Sequence, residues 1–281
     1  MSLVFAKYHG LGNDFVLVDN RDRPEPSLSP AESARLCDRH RGIGADGVIF
    51  VLPGQGETDY AMRIYNSDGS IAEMCGNGIR CYARFLAELE GVAGQDKTYR
   101  IDTLAGVMVP HLRADGQITV DMGPPGLLAE QVPTTLVPPG QKAIATDLTA
   151  AGQTWPVTTV SMGNPHCIIF VPDVAAIDLA HLGPQIETHP AFPKKTNVEF
   201  VQVLGRDRLK MRVWERGAGI TLACGTGACA TLVASVLTGQ ADRQATVELP
   251  GGPLEIAWDA ATDRLLMTGP AECVFTGTLA S

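Results

Sequence analysis

No run of about 18 apolar residues, the length a membrane-spanning helix needs, occurs in the 281 residues. Met1 to Tyr8 lacks the charged start and long apolar stretch of a secretory leader, so the expected location is cytoplasmic. No C-x-x-C is present, which argues against a thioredoxin-like redox centre. The 7 cysteines are an odd number in a long chain and fit reduced thiols better than a disulfide framework. The 6 histidines are scattered without an H-x₃-H pair, so no zinc site or other metal is expected. G-x-S-x-G and Walker A sequences are missing. Gly10-Leu11-Gly12 and Gly42-Ile43-Gly44 are too short for a dinucleotide fingerprint. Positive charge is also scarce: 22 Lys+Arg against 31 Asp+Glu leave a net charge of −9. That balance argues against nucleic acid or an anionic membrane as partner.

What the chain does have is 45% hydrophobic residues, 30 Gly and 19 Pro, a globular composition with many turns. Its length predicts about two domains. Short apolar runs predict strands at Leu3–Tyr8, Phe15–Asp19, Gly47–Leu52, Ala61–Tyr65, Ile118–Met122, Pro156–Ser161, Cys167–Val171, Val198–Val203 and Leu209–Trp214. Helices are predicted at Pro30–His40, with Ser29 as N-cap, at Gly76–Leu89 and at Gly225–Leu237. The last is apolar almost all round, the pattern of a buried helix. The Pro-rich stretch Gly123–Gly140 reads as a linker.

The two halves echo one another. Gly12-Asn13 with Phe15–Val18 matches Gly163-Asn164 with Ile168–Val171. Gly47–Val51 matches Asn197–Val201, and Met62–Asn66 matches Met211–Glu215. Cys75-Gly76-Asn77-Gly78 matches Cys224-Gly225-Thr226-Gly227. All four pairs keep their order at an offset of about 150 residues, which implies a duplicated unit. The expected division is residues 1–123, rejoined by 271–281, and residues 124–270.

Each copy carries Cys-Gly-X-Gly at the start of a helix. A cysteine there lies in the positive end of the helix dipole, which lowers its pKa toward neutrality. The free first-turn N–H groups can hold a carboxylate. Two such units facing each other across a pseudo-twofold axis would aim two thiols into one cleft. Stereoinversion needs that arrangement, with one base removing a proton from carbon and a second acid protonating the opposite face. Cys37, Cys81, Cys167, Cys229 and Cys273 read instead as ordinary small apolar residues.

At these residues the sequence resembles the diaminopimelate epimerase family. The supporting motifs are His9–Phe15, Asn66–Ser70 and Met74–Cys81 in the first half. In the second half they are Gly163–His166, Thr196–Glu199, Trp214–Gly217 and Ala223–Gly227. The resemblance implies an α/β (α+β) fold of two pseudo-symmetric repeats. Each would be a mixed sheet or barrel curled around a central helix, with the active site in the cleft between them. It implies a cofactor-independent isomerase that interconverts LL- and meso-2,6-diaminopimelate, without pyridoxal phosphate or metal, in lysine and peptidoglycan precursor synthesis. Cys75 and Cys224 would be the catalytic pair. Gly76, Asn77, Gly225 and Thr226 would hold the reacting carboxylate through their amides. Asn13, Asn66, Asn164, Asn197, Glu215 and Arg216 would bind the distal end, Arg216 as a planar fork on its carboxylate. His166 and Glu215 would tune a thiol proton. The resemblance also implies a homodimer.

Two positions depart from the family pattern: Gly47 stands where many members have a substrate-contacting Gln, and Thr226 where Ser is frequent. Other readings stay open at this point. A proline racemase relative shares the fold and thiol pair, but usually carries His where this chain has Asn77, and its substrate has no distal carboxylate for Arg216. Phenazine-type isomerases of the fold lack the paired cysteines. A non-catalytic amino-acid-binding module would not need a thiol in both copies. A thiol pair sharing one cleft predicts inactivation by Cys75–Cys224 disulfide formation, and a carbanion predicts closure around the substrate.

Overall fold

The computed structural model describes residues 3–279, which divide into two compact units. The first runs to Asp121 and takes back the chain from Thr268 onward. Its strands are β1 (Leu3–Gly10), β2 (Asn13–Asp19), β3 (Gly47–Pro53), β4 (Tyr60–Asn66), β5 (Ile71–Ala72), β6 (Lys97–Thr98), β7 (Ile101–Thr103), β8 (Gly106–Met108), β9 (His111–Leu112), β10 (Ile118–Gly123) and the returning β20 (Glu272–Leu279). The main sheet follows the order β20-β1-β2-β3-β4-β7-β8, with β5 beside β4. Helix α1 (Pro30–Cys37) crosses from β2 to the parallel β3, and helix α2 (Gly76–Leu89) packs on β1, β2, β3 and β20.

In the second unit, Met122–Met267, the strands are β11 (Thr146–Ala150), β12 (Gln153–Ser161), β13 (Pro165–Phe170), β14 (Asn197–Gly205), β15 (Arg208–Glu215), β16 (Gly219–Ile220), β17 (Gln244–Leu249), β18 (Gly252–Trp258) and β19 (Leu265–Gly269). They follow the order β11-β12-β13-β14-β15-β17-β18-β19, with β16 beside β15. Helix α3 (Leu179–Glu187) crosses from β13 to the parallel β14. Helix α4 (Gly225–Leu237) packs against β12, β13, β14, β15, β17 and β18, so this sheet curls round it. That enclosure explains why α4 is apolar on every side. Leu232, Val233 and Ala230 have no exposed surface, and each buried Leu or Val contributes about 1.5–3 kcal/mol.

Both units therefore follow one plan: a hairpin, a helical crossover to a parallel strand, an antiparallel strand, then a central helix. The hairpins set the positions that matter later. Leu11 (φ 56°) and Gly12 (φ 86°) close the β1–β2 turn with Gly10 opposite Asn13. Two consecutive left-handed residues make the tight turn that matches strand twist. Gly163 (φ 88°) serves the β12–β13 turn beside Asn164.

The sequence patterns do not announce β5–β9, β11 or β16–β20, and three further points differ from the structure. Helix α1 stops at Cys37 rather than His40, because Asp38 Oδ1 accepts from the backbone N–H of both His40 and Arg41 at 2.8 Å, an Asx turn that competes with helix. Helix α3 is absent from the sequence reading, since Gly183 and Pro184 lie inside it and weaken its pattern. Gly183 is required by packing: a Cβ would lie 2.5 Å from the Trp214 ring. The stretch Gly123–Gly140 is largely irregular but is no free linker. Val132 is fully buried, and backbone bonds join Gly126 to Ser161 and Thr135 to Ala191.

Candidate active site

Helices α2 and α4 begin alike. Cys75 is the N-cap of α2 with φ −139°, and its sulfur accepts the Gly78 N–H at 3.4 Å. Cys224 is the N-cap of α4 with φ −134°, and its sulfur accepts the Gly227 N–H at 3.4 Å. The thiols thus occupy the role usual for Ser or Asp. The second glycine of each motif has a steric reason. A Cβ at Gly227 would lie 2.8 Å from Glu199 Oε1 and 3.2 Å from Cys224 Sγ, and at Gly78 3.3 Å from Cys75 Cβ. The first-turn amides of Gly76, Asn77, Gly225 and Thr226 have no acceptor within their helices, which leaves them available for an anion.

Around Cys75 the structure gathers Asn13 and Asn77. Asn13 Oδ1 accepts from Asn77 Nδ2 at 3.1 Å and lies 3.7 Å from Cys75 Sγ. Asn13 Nδ2 donates to Asp46 Oδ2 at 2.6 Å. Asp46 and Asp14 share Arg39, and Lys7 adds a second cation to Asp14. Burial acts to raise the Asp14 carboxyl, but the hydrogen bonds from Arg39 and Lys7 outweigh it and hold it below its ordinary range. Arg80 is fully buried beneath the same turn. It donates to Pro270 O at 3.2 Å, Gly76 O at 3.2 Å and Asn77 Oδ1 at 3.0 Å. Asn66 ends β4, where its side chain donates to Ser70 Oγ at 2.9 Å. Gly47 is buried at the head of β3, and a Cβ there would lie 2.8 Å from Tyr65 O. No side chain fits at 47 on this backbone.

Cys224 lies near two carboxylates. Burial pushes its thiol well above the ordinary range, and the nearby Glu215 and Glu199 add to this. The Thr226 hydroxyl, 3.6 Å from the sulfur, and the Gly227 N–H act the other way. The net direction is the reverse of the dipole-based expectation, because desolvation and two carboxylates outweigh one helix terminus. Burial likewise raises the Glu215 carboxyl, against hydrogen bonds from Thr221 and the Cys224 thiol. His166 is fully buried, with Nδ1 2.6 Å from Glu199 Oε1 and Nε2 2.9 Å from Asn164 Oδ1. Asn164 Nδ2 donates to Thr226 Oγ1 at 3.3 Å.

Asn197 is buried with both ends of its amide engaged: Nδ2 to Pro165 O at 2.8 Å, Oδ1 from the Arg216 N–H at 2.9 Å. It brackets the backbone of Arg216, whose guanidinium donates to Lys194 O at 3.1 Å. Glu187 steadies the same turn by accepting from Gly217 N–H and Trp214 Nε1–H.

In the second unit the structure thus joins Cys224, Thr226, Asn164 and His166 in one group, with Glu215 at the thiol, and pairs Asn197 with Arg216. In the first it joins Cys75, Asn13 and Asn77, with Asn66 apart at the β4 end. The sequence reading missed Asp46, Arg80 and Glu199 as supports of these groups. Glu199 did leave a signal, being a lone charge in an apolar strand pattern. Among the described residues no three His, Cys, Asp or Glu side chains form a metal-binding cluster, and no helix is long and apolar enough to cross a membrane.

The profile of the family described as "Diaminopimelate epimerase" matches residues 5–128 and 158–274. A diaminopimelate epimerase of a Synechocystis species is 69% identical over 277 residues, 99% of each chain. Another from a Nostoc species, named diaminopimelate epimerase 1, is 66% identical over 279 residues, covering 99% of this chain and all of that one. Among solved structures, a hydroxyproline epimerase from Agrobacterium vitis has a TM-score of 0.69 at 13% identity, covering 99% of this chain and 92% of that one. A phenazine biosynthesis protein from Bacillus anthracis has a TM-score of 0.70 at 16% identity over the whole of both chains. These two likenesses concern the fold alone.

Proposed function

Because the chain belongs to the diaminopimelate epimerase family, we propose that it interconverts LL- and meso-2,6-diaminopimelate by two-thiol acid–base chemistry, as a step of lysine and peptidoglycan precursor synthesis. The observation that carries this reading is the matched pair of N-capping thiols, Cys75 on α2 and Cys224 on α4. In one direction the Cys75 thiolate takes the α-proton and becomes a thiol, leaving the electron pair on carbon. The Cys224 S–H then delivers its proton to the opposite face and is left as thiolate. The reverse reaction exchanges the roles. First-turn amides at Gly76, Asn77, Gly225 and Thr226 receive the α-carboxylate, whose oxygens take up the carbanion's charge.

The raised thiol of Cys224 supports its role as the proton donor in this direction, and Glu215, bonded to that thiol, tunes its proton. Arg216 takes the distal carboxylate, with Asn197 holding its backbone in place. Asn13, Asn66 and Asn164 supply amide contacts to the substrate. His166 acts through Asn164 rather than on the thiol directly. No organic cofactor or metal enters this scheme. Cysteines held as thiols rather than disulfides support a cytoplasmic location, and we assign a homodimer as the working assembly.

Solvent-deuterium incorporation tests the proposal. Wild-type protein in deuterated water is expected to convert LL-diaminopimelate to the meso form with label at the inverted carbon, and Cys75→Ala and Cys224→Ala each to lose this by at least about 10³-fold. Label uptake only with proline or another amino acid would move the substrate. No exchange with any amino acid would end the epimerase reading.

A further inference from the structure

Glu199 is the most deeply buried carboxylate near the thiols, and the scheme above does not use it. It has no exposed surface, sits on β14 beneath the first turn of α4, and its Oε2 has no hydrogen-bond partner. A buried carboxylate with one unpaired oxygen is costly, so the bond made by its other oxygen, to His166, has to be a strong one.

The hydrogen bonds leading from it have a direction. Asn164 Nδ2 donates to Thr226 Oγ1. Asn164 therefore presents Oδ1, an acceptor only, to His166 Nε2 at 2.9 Å, and Nε2 must carry a hydrogen. At 2.6 Å, His166 Nδ1 and Glu199 Oε1 cannot face each other with two lone pairs, so a proton lies between them. The Cys224 S–H is engaged by Glu215, so in the 3.6 Å contact between Thr226 Oγ1 and Cys224 Sγ the hydroxyl is the donor. We infer that Glu199 and the Thr226 hydroxyl are positioning residues for Cys224, joined to it through His166 and Asn164 by one directed hydrogen-bond chain that ends as a donor to the sulfur.

Such a donor favours charge on sulfur. It acts against the burial and the carboxylates that oppose charge there, and so lowers the cost of negative charge on Cys224 when its turn comes to be the base. Glu199 acts at the far end by engaging Nδ1, which keeps the Nε2–H directed at Asn164. The catalytic part of this inference rests on the epimerase reading. The chain's polarity does not, so it can be tested without substrate.

The experiment measures alkylation of Cys224 by iodoacetamide, read by peptide mass spectrometry, with Cys75 in the same sample as reference. Thr226→Val is expected to slow Cys224 about tenfold relative to Cys75, the effect of losing one hydrogen bond to a charged group. Thr226→Ser is expected to stay within about twofold of wild type. Equal rates in the Val and Ser variants would overturn the chain's last link.

Nitrogen-15 spectra of histidine-labelled protein, with His166 assigned by its loss in His166→Gln, test the first links. Wild type is expected to show a protonated Nε2, and Glu199→Gln to retain it, because the amide can donate to a bare Nδ1. Glu199→Leu is expected to spread the ring over both tautomers. A bare Nε2 in wild type would mean the chain runs the other way and would overturn the proposal. If Glu199→Leu does not fold, the wild-type and Glu199→Gln spectra decide alone. With diaminopimelate as substrate, Thr226→Val is expected to lower kcat about tenfold with KM changed less than about threefold.

Discussion

Gly227 shows how little room a capping thiol has. Its missing Cβ is the space in which Glu199 Oε1 and Cys224 Sγ sit. Glu199 cannot swing aside, because His166 holds it from the other side. Gly227→Ala is therefore expected to lower kcat more than tenfold and to destabilise the fold by about 1–3 kcal/mol, as overpacking does. Gly78→Ala meets Ile49 Cδ1 at 3.1 Å and Cys75 Cβ at 3.3 Å, contacts that can yield more easily, and is expected to cost less on both counts. Steady-state kinetics and urea denaturation check the pair. An unchanged kcat in Gly227→Ala would mean the thiol's position is not set by this contact. The two cysteines also differ in company: a buried arginine lies under the turn that follows Cys75, and Glu199 and Glu215 lie near Cys224. One motif repeated in sequence has thus been given different neighbours by residues outside it.

Among the elements, the helices that carry the thiols were legible for different reasons, α2 from an apolar stripe and α4 from a nearly continuous apolar run after Cys-Gly-X-Gly. Helix α2 has Ile79, Tyr82, Ala83 and Leu86 buried along one stripe, and α4 is buried all round. Helix α3 was not, because its stability comes from packing Gly183 against Trp214 rather than from propensity. Strand β20 is the last in its sheet and is exposed along most of its length, with Val274 54% and Phe275 46% exposed beside Val4 at 67%. A long apolar edge strand invites pairing with another chain, which supports the homodimer proposed above. Light scattering is expected to read about twice 29.8 kDa for wild type and the single-chain mass for Phe275→Asp. A wild-type protein that stays at the single-chain mass over a wide concentration range would exclude the dimer.

For the whole molecule, the buried thiols make stability pH-dependent in a defined direction. Burial raises Cys37 to about 11 and Cys81 to about 12, and Cys167 and Cys224 well above their ordinary range. An unfolded chain ionises its thiols near pH 8.5–9, so above that pH the folded state binds more protons and stability falls as pH rises. The contribution is complete below pH 8.5 and is lost upward through the folded values, at about 1.4 kcal/mol per pH unit for each thiol. Urea denaturation between pH 8 and 11 is expected to show this slope. Cys81→Ala, whose thiol lies in α2 away from the cap, is expected to reduce the slope by one proton. A stability that is flat over this range would contradict the burial assigned to these groups.

The repeated strand–helix plan was legible along the chain because strand alternation, helix period and turn glycines are local signals, and the paired Cys-Gly-X-Gly helix starts with their companion motifs carried the family resemblance. What surrounds each thiol is a property of the folded chain. Glu199 reaches Cys224 through His166, Asn164 and Thr226, and Asp46 reaches Cys75 through Asn13. These partners are far apart along the chain and meet only when strands pair in register. Their effect depends on burial, which strengthens every hydrogen bond and charge at the site. Neither register between distant strands nor burial can be read from residues taken one at a time.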